Sequence, residues 1–139
     1  FDLEIQDSGA IMVGGGGGLD NPQVWSGGSS FGSRIDVQGW YQNIVTVGGY
    51  EIADLFFPQD DVRQAYTQHF GGTSGASPQV VSVVVALNAL SLQLNQSIDE
   101  PKLTRELLRQ NGISQPAWDQ DFWIAAQPNL FTLLRMWAW

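Results

Sequence analysis

The chain has 139 residues, 43% of them hydrophobic and 14% charged, an ordinary globular composition with material for one modest core. A formal net charge of −8 with only six basic residues leaves no basic stripe that could neutralise a run of phosphates, which argues against nucleic acid as a partner. The absence of cysteine excludes disulfides and thiolate metal sites, and no stretch reaches the roughly eighteen unbroken apolar residues that would mark a membrane span. Six Trp, seven Phe and three Tyr demand large buried surfaces or a partner that covers them. No initiator Met or signal-like region stands at Phe1, so the chain reads as a processed product or a cut piece.

In chain order, Gly9 to Val13 is a short apolar run that reads as a buried strand, and the five glycines Gly14 to Gly18 read as the loop it enters. A phosphate-cradling loop would require Lys followed by Ser or Thr, and neither follows. Asn21 to Arg34 has loop composition; Ile35–Val37 and Ile44–Val47 read as short strands. The acidic pair Asp60 and Asp61, with Asp20, offers candidate ligands for a structural calcium, although a solvated surface loop is the commoner reason for such residues and their spacing compels no metal. From Ala76 to Leu94, valines and leucines lie on every side of a helical wheel with only small or polar residues between them. The pattern predicts a helix buried all round, since a run of about nineteen residues is too long for a strand. Pro101 opens a second, amphipathic helix through Arg109, with Leu103, Leu107 and Leu108 on one face and Gly112 ending it. Gln127-Pro128-Asn129-Leu130 reads as a turn or cap feeding a last apolar helix.

The segment Phe70 to Pro78, FGGTSGASP, leads directly into the long apolar helix. Thr73 or Ser74 is suited to cap its first N–H groups, and Pro78 falls in or near the first turn, where a missing N–H costs little. Capping does not require Gly71-Gly72 before the serine or only small residues, Gly75 and Ala76, after it; those suit a place where a substrate approaches the backbone. A hydroxyl there also sits at the positive end of the helix dipole, beside N–H groups able to stabilise an oxyanion. Cap and nucleophile are therefore both open for Ser74.

Gly72-Thr73-Ser74-Gly75-Ala76-Ser77-Pro78 resembles the Gly-Thr-Ser-x-Ala-Ser/Thr-Pro nucleophile motif of the subtilisin-like serine peptidases, the subtilases. SGAIMVGGG resembles that family's buried strand ending in Val-Gly. Phe31 to Val37 resembles the stretch before its Ala-Pro-Gly turn, which here reads Gln38-Gly39-Trp40. Tyr66 to Phe70 resembles the approach to the serine loop, and Gln127 to Leu130 the closing segment. The resemblance implies an α/β fold, the C-terminal half of a subtilisin-like catalytic domain over residues 1–139, mainly parallel sheet with a buried central helix starting at the nucleophile serine.

The family's order of Asp, His and Ser places the first two upstream of the serine, along with the oxyanion Asn, and none of the three has a counterpart here. The single histidine, His69, stands where the family has no base and reads as structural. The resemblance thus implies a serine endopeptidase acting through an acyl-enzyme, with Ser74 as nucleophile, the Ser74 N–H and Thr73 in the oxyanion site, and Gly72 and Gly75 shaping the nucleophile loop. It implies an N-terminal fragment supplying Asp, His and Asn, cut from one precursor before Phe1 or made separately, and inactivity without it. No cofactor is required, the substrate is a polypeptide, and location outside the cytoplasm is the family's habit. The competing reading is a subtilase-like binding or assembly module that has lost catalysis; a third is an α/β interaction protein in which Ser74 only caps a helix.

Overall fold

A computed structural model of the chain describes residues 6–18, 21, 23–48, 63, 65–96, 98 and 100–136. Asp20, Asp60 and Asp61 lie outside the described residues.

The strand expected over Gly9–Val13 sits later, as β1, Val13–Gly16, and takes in the glycines expected to form a loop. The reason is close approach. A Cβ on Gly15 would strike the Tyr41 ring, one on Gly16 the Gln38 carboxamide, and one on Gly14 would lie 3.0 Å from both Ile35 and Ile124. Bare backbone is the only surface thin enough for this layer. β2, Val37–Trp40, also begins two residues after its expected start and runs parallel to β1, pairing Val13 with Val37 through Gly16 with Trp40. Ala126 extends this parallel sheet by a bridge to Val37. β3, Ile44–Val47, stands where a short strand was expected and pairs antiparallel with β4, Tyr66–Phe70.

Helix α1, Thr73–Gln93, packs across β1 and β2. Helix α2, Pro101–Gln110, starts at its proline as expected. Strands β5, Gly112–Ile113, and β6, Gln127–Pro128, form a short antiparallel pair, and helix α3, Leu130–Arg135, closes the described chain. Between β5 and β6, Ala117–Phe122 forms two 3₁₀ turns that meet at Asp119. Val37, Val80, Leu87, Leu108 and Leu133 make the core, with Ile11, Val13, Val83, Val84 and Leu107 against it. Each fully buried aliphatic chain of this kind is worth about 1.5–3 kcal/mol.

Two faces differ from expectation. Helix α1 is not buried all round: Gly75, Ala76, Val80, Leu87 and Ser91 are buried, while Val81, Val85 and Leu92 are 57%, 60% and 68% exposed. Their spacing puts the three on one stripe, and no described element packs there. By length and composition α1 could cross a bilayer, but its inner face is part of the core under β1 and β2. On α2, Leu103 is exposed while Thr104 and Arg105 are buried. The Arg105 guanidinium draws that side inward, donating to both carboxylate oxygens of Asp7 at 2.8 and 2.6 Å and to the Ala10 carbonyl at 3.3 Å. That fork holds the Asp7 carboxyl far below the usual carboxylate range.

At the start of β2, Asp36 is buried and accepts from the Met12 N–H at 2.8 Å and from Arg34 at 2.7 Å, with Arg109 3.5 Å from its other oxygen. The rings partly cover one another: Trp25 stacks on Phe122 at 4.2 Å, and Phe31 meets both edge-on.

Candidate functional site

β4 ends at Phe70 and α1 begins at Thr73, so Gly71 and Gly72 make the whole turn between them. A Cβ on Gly71 would collide with the Tyr41 carbonyl, and that carbonyl accepts the Gly72 N–H at 2.6 Å. Gly72 has φ 80° and ψ 176°, a conformation that L side chains rarely adopt, and its own carbonyl accepts from Gly75 N–H at 2.9 Å and Ala76 N–H at 3.2 Å.

This geometry corrects the expected cap. The N-cap is Gly72, with no side-chain hydrogen bond, and Thr73 and Ser74 are the first two helical residues. Gly72 can open the helix because its backbone turns where a side-chain cap would otherwise be needed, which leaves both hydroxyls outside the capping role. The helix also starts earlier than Ala76, so Pro78 lies inside it, beyond the first turn, where it has no N–H to offer the Ser74 carbonyl.

Ser74 is exposed, as is Thr73. Among the described residues nothing is hydrogen-bonded to the Ser74 hydroxyl, and none accepts the backbone N–H of Thr73 or Ser74. These are the orphan donors that every helix start presents, here on two exposed residues that each carry a hydroxyl. No acidic side chain stands in the first turn to offset the helix dipole. An oxygen bearing developing negative charge next to Ser74 would find two N–H groups without an acceptor among the described residues, and the positive helix end. Gly75 is buried under Ile44 and Phe70, with no room for a Cβ. The turn is pressed onto the β3–β4 hairpin at this residue.

The departure at Gln38-Gly39-Trp40 is structurally coherent. A Cβ on Gly39 would lie 2.6 Å from the Ala76 carbonyl oxygen, so β2 and the first turn of α1 touch backbone to backbone. Gln38 is buried and donates to the Ala125 carbonyl at 2.6 Å. His69 is exposed in β4, and its backbone N–H donates to the Thr67 hydroxyl at 3.1 Å. The described residues contain no group of three or more His, Asp or Glu able to hold a metal. Sequence reasoning missed Tyr41, whose carbonyl fixes the glycine turn, because a backbone acceptor leaves no mark on residue type.

No protein-family model matches the chain, and no curated protein is similar to it in sequence. Solved structures are similar in fold. The self-cleaved protease domain of PatA matches with a TM-score of 0.60 and 18% identity over 94% of this chain and 42% of that one. The patellamide maturation protease PatA matches with a TM-score of 0.61 and 18% identity, over 94% and 43%. The chain therefore has a subtilisin-like fold and spans less than half the length of the structures it matches.

Proposed function

Taking the subtilisin-like fold as premise, we propose that this chain is the nucleophile half of a serine endopeptidase. Ser74 attacks a peptide carbonyl through Oγ, a histidine takes the hydroxyl proton and passes it to the leaving amine, and water releases the acyl group. The Ser74 N–H, with Thr73 beside it, holds the oxyanion. The observation that carries this reading is the exposed Ser74 at an α1 start whose first two N–H groups have no acceptor among the described residues.

The base, its Asp and an oxyanion Asn come from a segment outside this chain, and the chain alone is inactive. Two features support such a partner segment. The Val81, Val85 and Leu92 stripe is apolar and exposed, and among the described residues β1 has a strand neighbour on one side only. Beyond Gly15 the other edge of β1 is occupied by a loop, with Ser26 N–H on the Gly15 carbonyl at 3.3 Å and Ser29 Oγ accepting the Gly15 N–H at 2.8 Å. Before Gly15 it offers a place for another strand. Self-cleavage belongs to the proposal because one of the similar structures is a self-cleaved protease domain.

A fluorophosphonate probe tests the reading. In the protein assembled with its N-terminal complement, label should map to Ser74, and Ser74→Ala should abolish labelling and lower peptide hydrolysis on the order of a million-fold. An assembled protein that folds but takes no label would make the chain a binding module instead.

A further inference from the structure

We infer that Gln79 is a positioning residue for the Ser74 nucleophile, an inference that rests on the proposed peptidase reading. Along the edge of β2 that faces away from β1, the Gln38 N–H pairs with the Ala126 carbonyl at 3.0 Å. The next groups on that edge belong to Trp40, and no strand among the described residues meets them. The Gln79 carboxamide does: its Oε1 accepts the Trp40 N–H at 3.1 Å, and its Nε2 donates to the Trp40 carbonyl at 3.1 Å. A side-chain amide thus stands in for a neighbouring peptide and continues the ladder by one residue.

The second Nε2 hydrogen goes to the Gly75 carbonyl at 2.9 Å, which uses both donors of the amide. Only one orientation of the carboxamide fits, because the reverse would set Nε2 against the Trp40 N–H. Gln79 therefore ties the residue after Ser74 to the residue before Tyr41, whose carbonyl holds Gly72 at 2.6 Å. Ser74 is gripped on both sides by one short stretch, Trp40 at the end of β2 and Tyr41 just after it. At Gly39, just before it, the strand touches Ala76 directly, so the helix cannot slide inward. Loosening the outer tie would let the first turn of α1 rotate about that contact and carry the hydroxyl off line.

Two variants separate positioning from packing. Gln79→Met keeps the length of the side chain and loses all three hydrogen bonds; Gln79→Glu keeps the acceptor and loses both donations. In the assembled protein, the rate constant for fluorophosphonate labelling of Ser74 should fall about tenfold to a hundredfold in each, the loss expected from a displacement of the order of 1 Å. The final labelled amount per folded molecule should stay at the parent level. A lower amplitude with an unchanged rate constant would mean that Gln79 only supports folding and would overturn the inference, as would parent-like rates in both variants. If the parent protein carries no label on Ser74, the peptidase reading falls and takes this inference with it. Hydrogen exchange on the parent protein needs no variant to fold: the Trp40 amide should be protected like that of Gln38, and rapid exchange at Trp40 alone would show that the tie does not exist.

Discussion

Where β2 begins, Asp36 is fastened by arginines; where it finishes, Trp40 and Tyr41 are fastened to α1 by neutral amides and carbonyls. The first end gathers formal charge around the buried Asp36, and the half-buried Asp7 is forked by Arg105. The second holds Gln79, the Tyr41 carbonyl and three glycines, Gly39, Gly71 and Gly75, each set where a Cβ would collide. An ion pair attracts over several ångströms and forgives small shifts, whereas a hydrogen bond against a backbone contact fixes position within a few tenths. Strength is invested at the end away from Ser74, and geometric exactness at the end that carries it. Fastening the serine end with neutral groups also leaves the dipole of α1 without a competing carboxylate in its first turn.

The widest separation of the two ends comes from Asp36→Ala, which leaves the arginines around a buried site without their partner. It should destabilise by about 3–5 kcal/mol in denaturant titration, while the Ser74 labelling rate constant of the molecules that remain folded is unchanged. A parallel fall in that rate constant would mean the ends are coupled. Gly39→Ala works from the other side. With a Cβ driven onto the Ala76 carbonyl it should cost about 1–3 kcal/mol, yet slow labelling by about a hundredfold, more than its stability loss accounts for.

A milder probe of the charged end is pH. The Asp7 carboxyl is depressed in the folded state, so the native chain binds fewer protons there than the unfolded one. Its contribution is complete above the unfolded value of about 4 and is lost as pH falls through the depressed folded value. Thermal midpoints should therefore drop on acidification below about pH 4 in the parent, and less steeply in Asp7→Asn. The smallest effect calibrates the rest. Asn129 caps α3 by accepting the Thr132 N–H at 3.2 Å, and Asn129→Ala should cost about 1 kcal/mol by the same titration without moving the labelling rate constant.

How much of this was legible in the residues depended on where the cause lay. β3 and the proline start of α2 follow from local chemistry and stand where they were expected, and the turn or cap expected over Gln127 to Leu130 resolves into an N-cap at Asn129. The turn at Gly71-Gly72 ahead of Ser74 was legible as a motif. Its helix start was not, since hydroxyls normally outrank glycine as caps, and only the Tyr41 carbonyl explains why Gly72 takes the position. The glycine run was misplaced for a related reason: glycines mark loops when nothing approaches them, and here Tyr41 and Gln38 arrive from more than twenty residues away. Helix α1 was legible as apolar, but a composition cannot tell a face that is covered from one that is exposed. Gln79 lay one residue past the motif and carried no signal, because its partners are main-chain atoms.

The backbone of Gly72 has a stereochemical consequence. Reflecting φ 80° and ψ 176° through zero gives an ordinary extended conformation, so position 72 suits an amino acid of the opposite hand. D-alanine placed there by semisynthesis would rest in its preferred basin. L-alanine would be strained, and its methyl would lie 3.8 Å from the Ser74 nitrogen, over the donor an oxyanion needs. Handedness at one achiral residue thus decides whether the serine turn stays open.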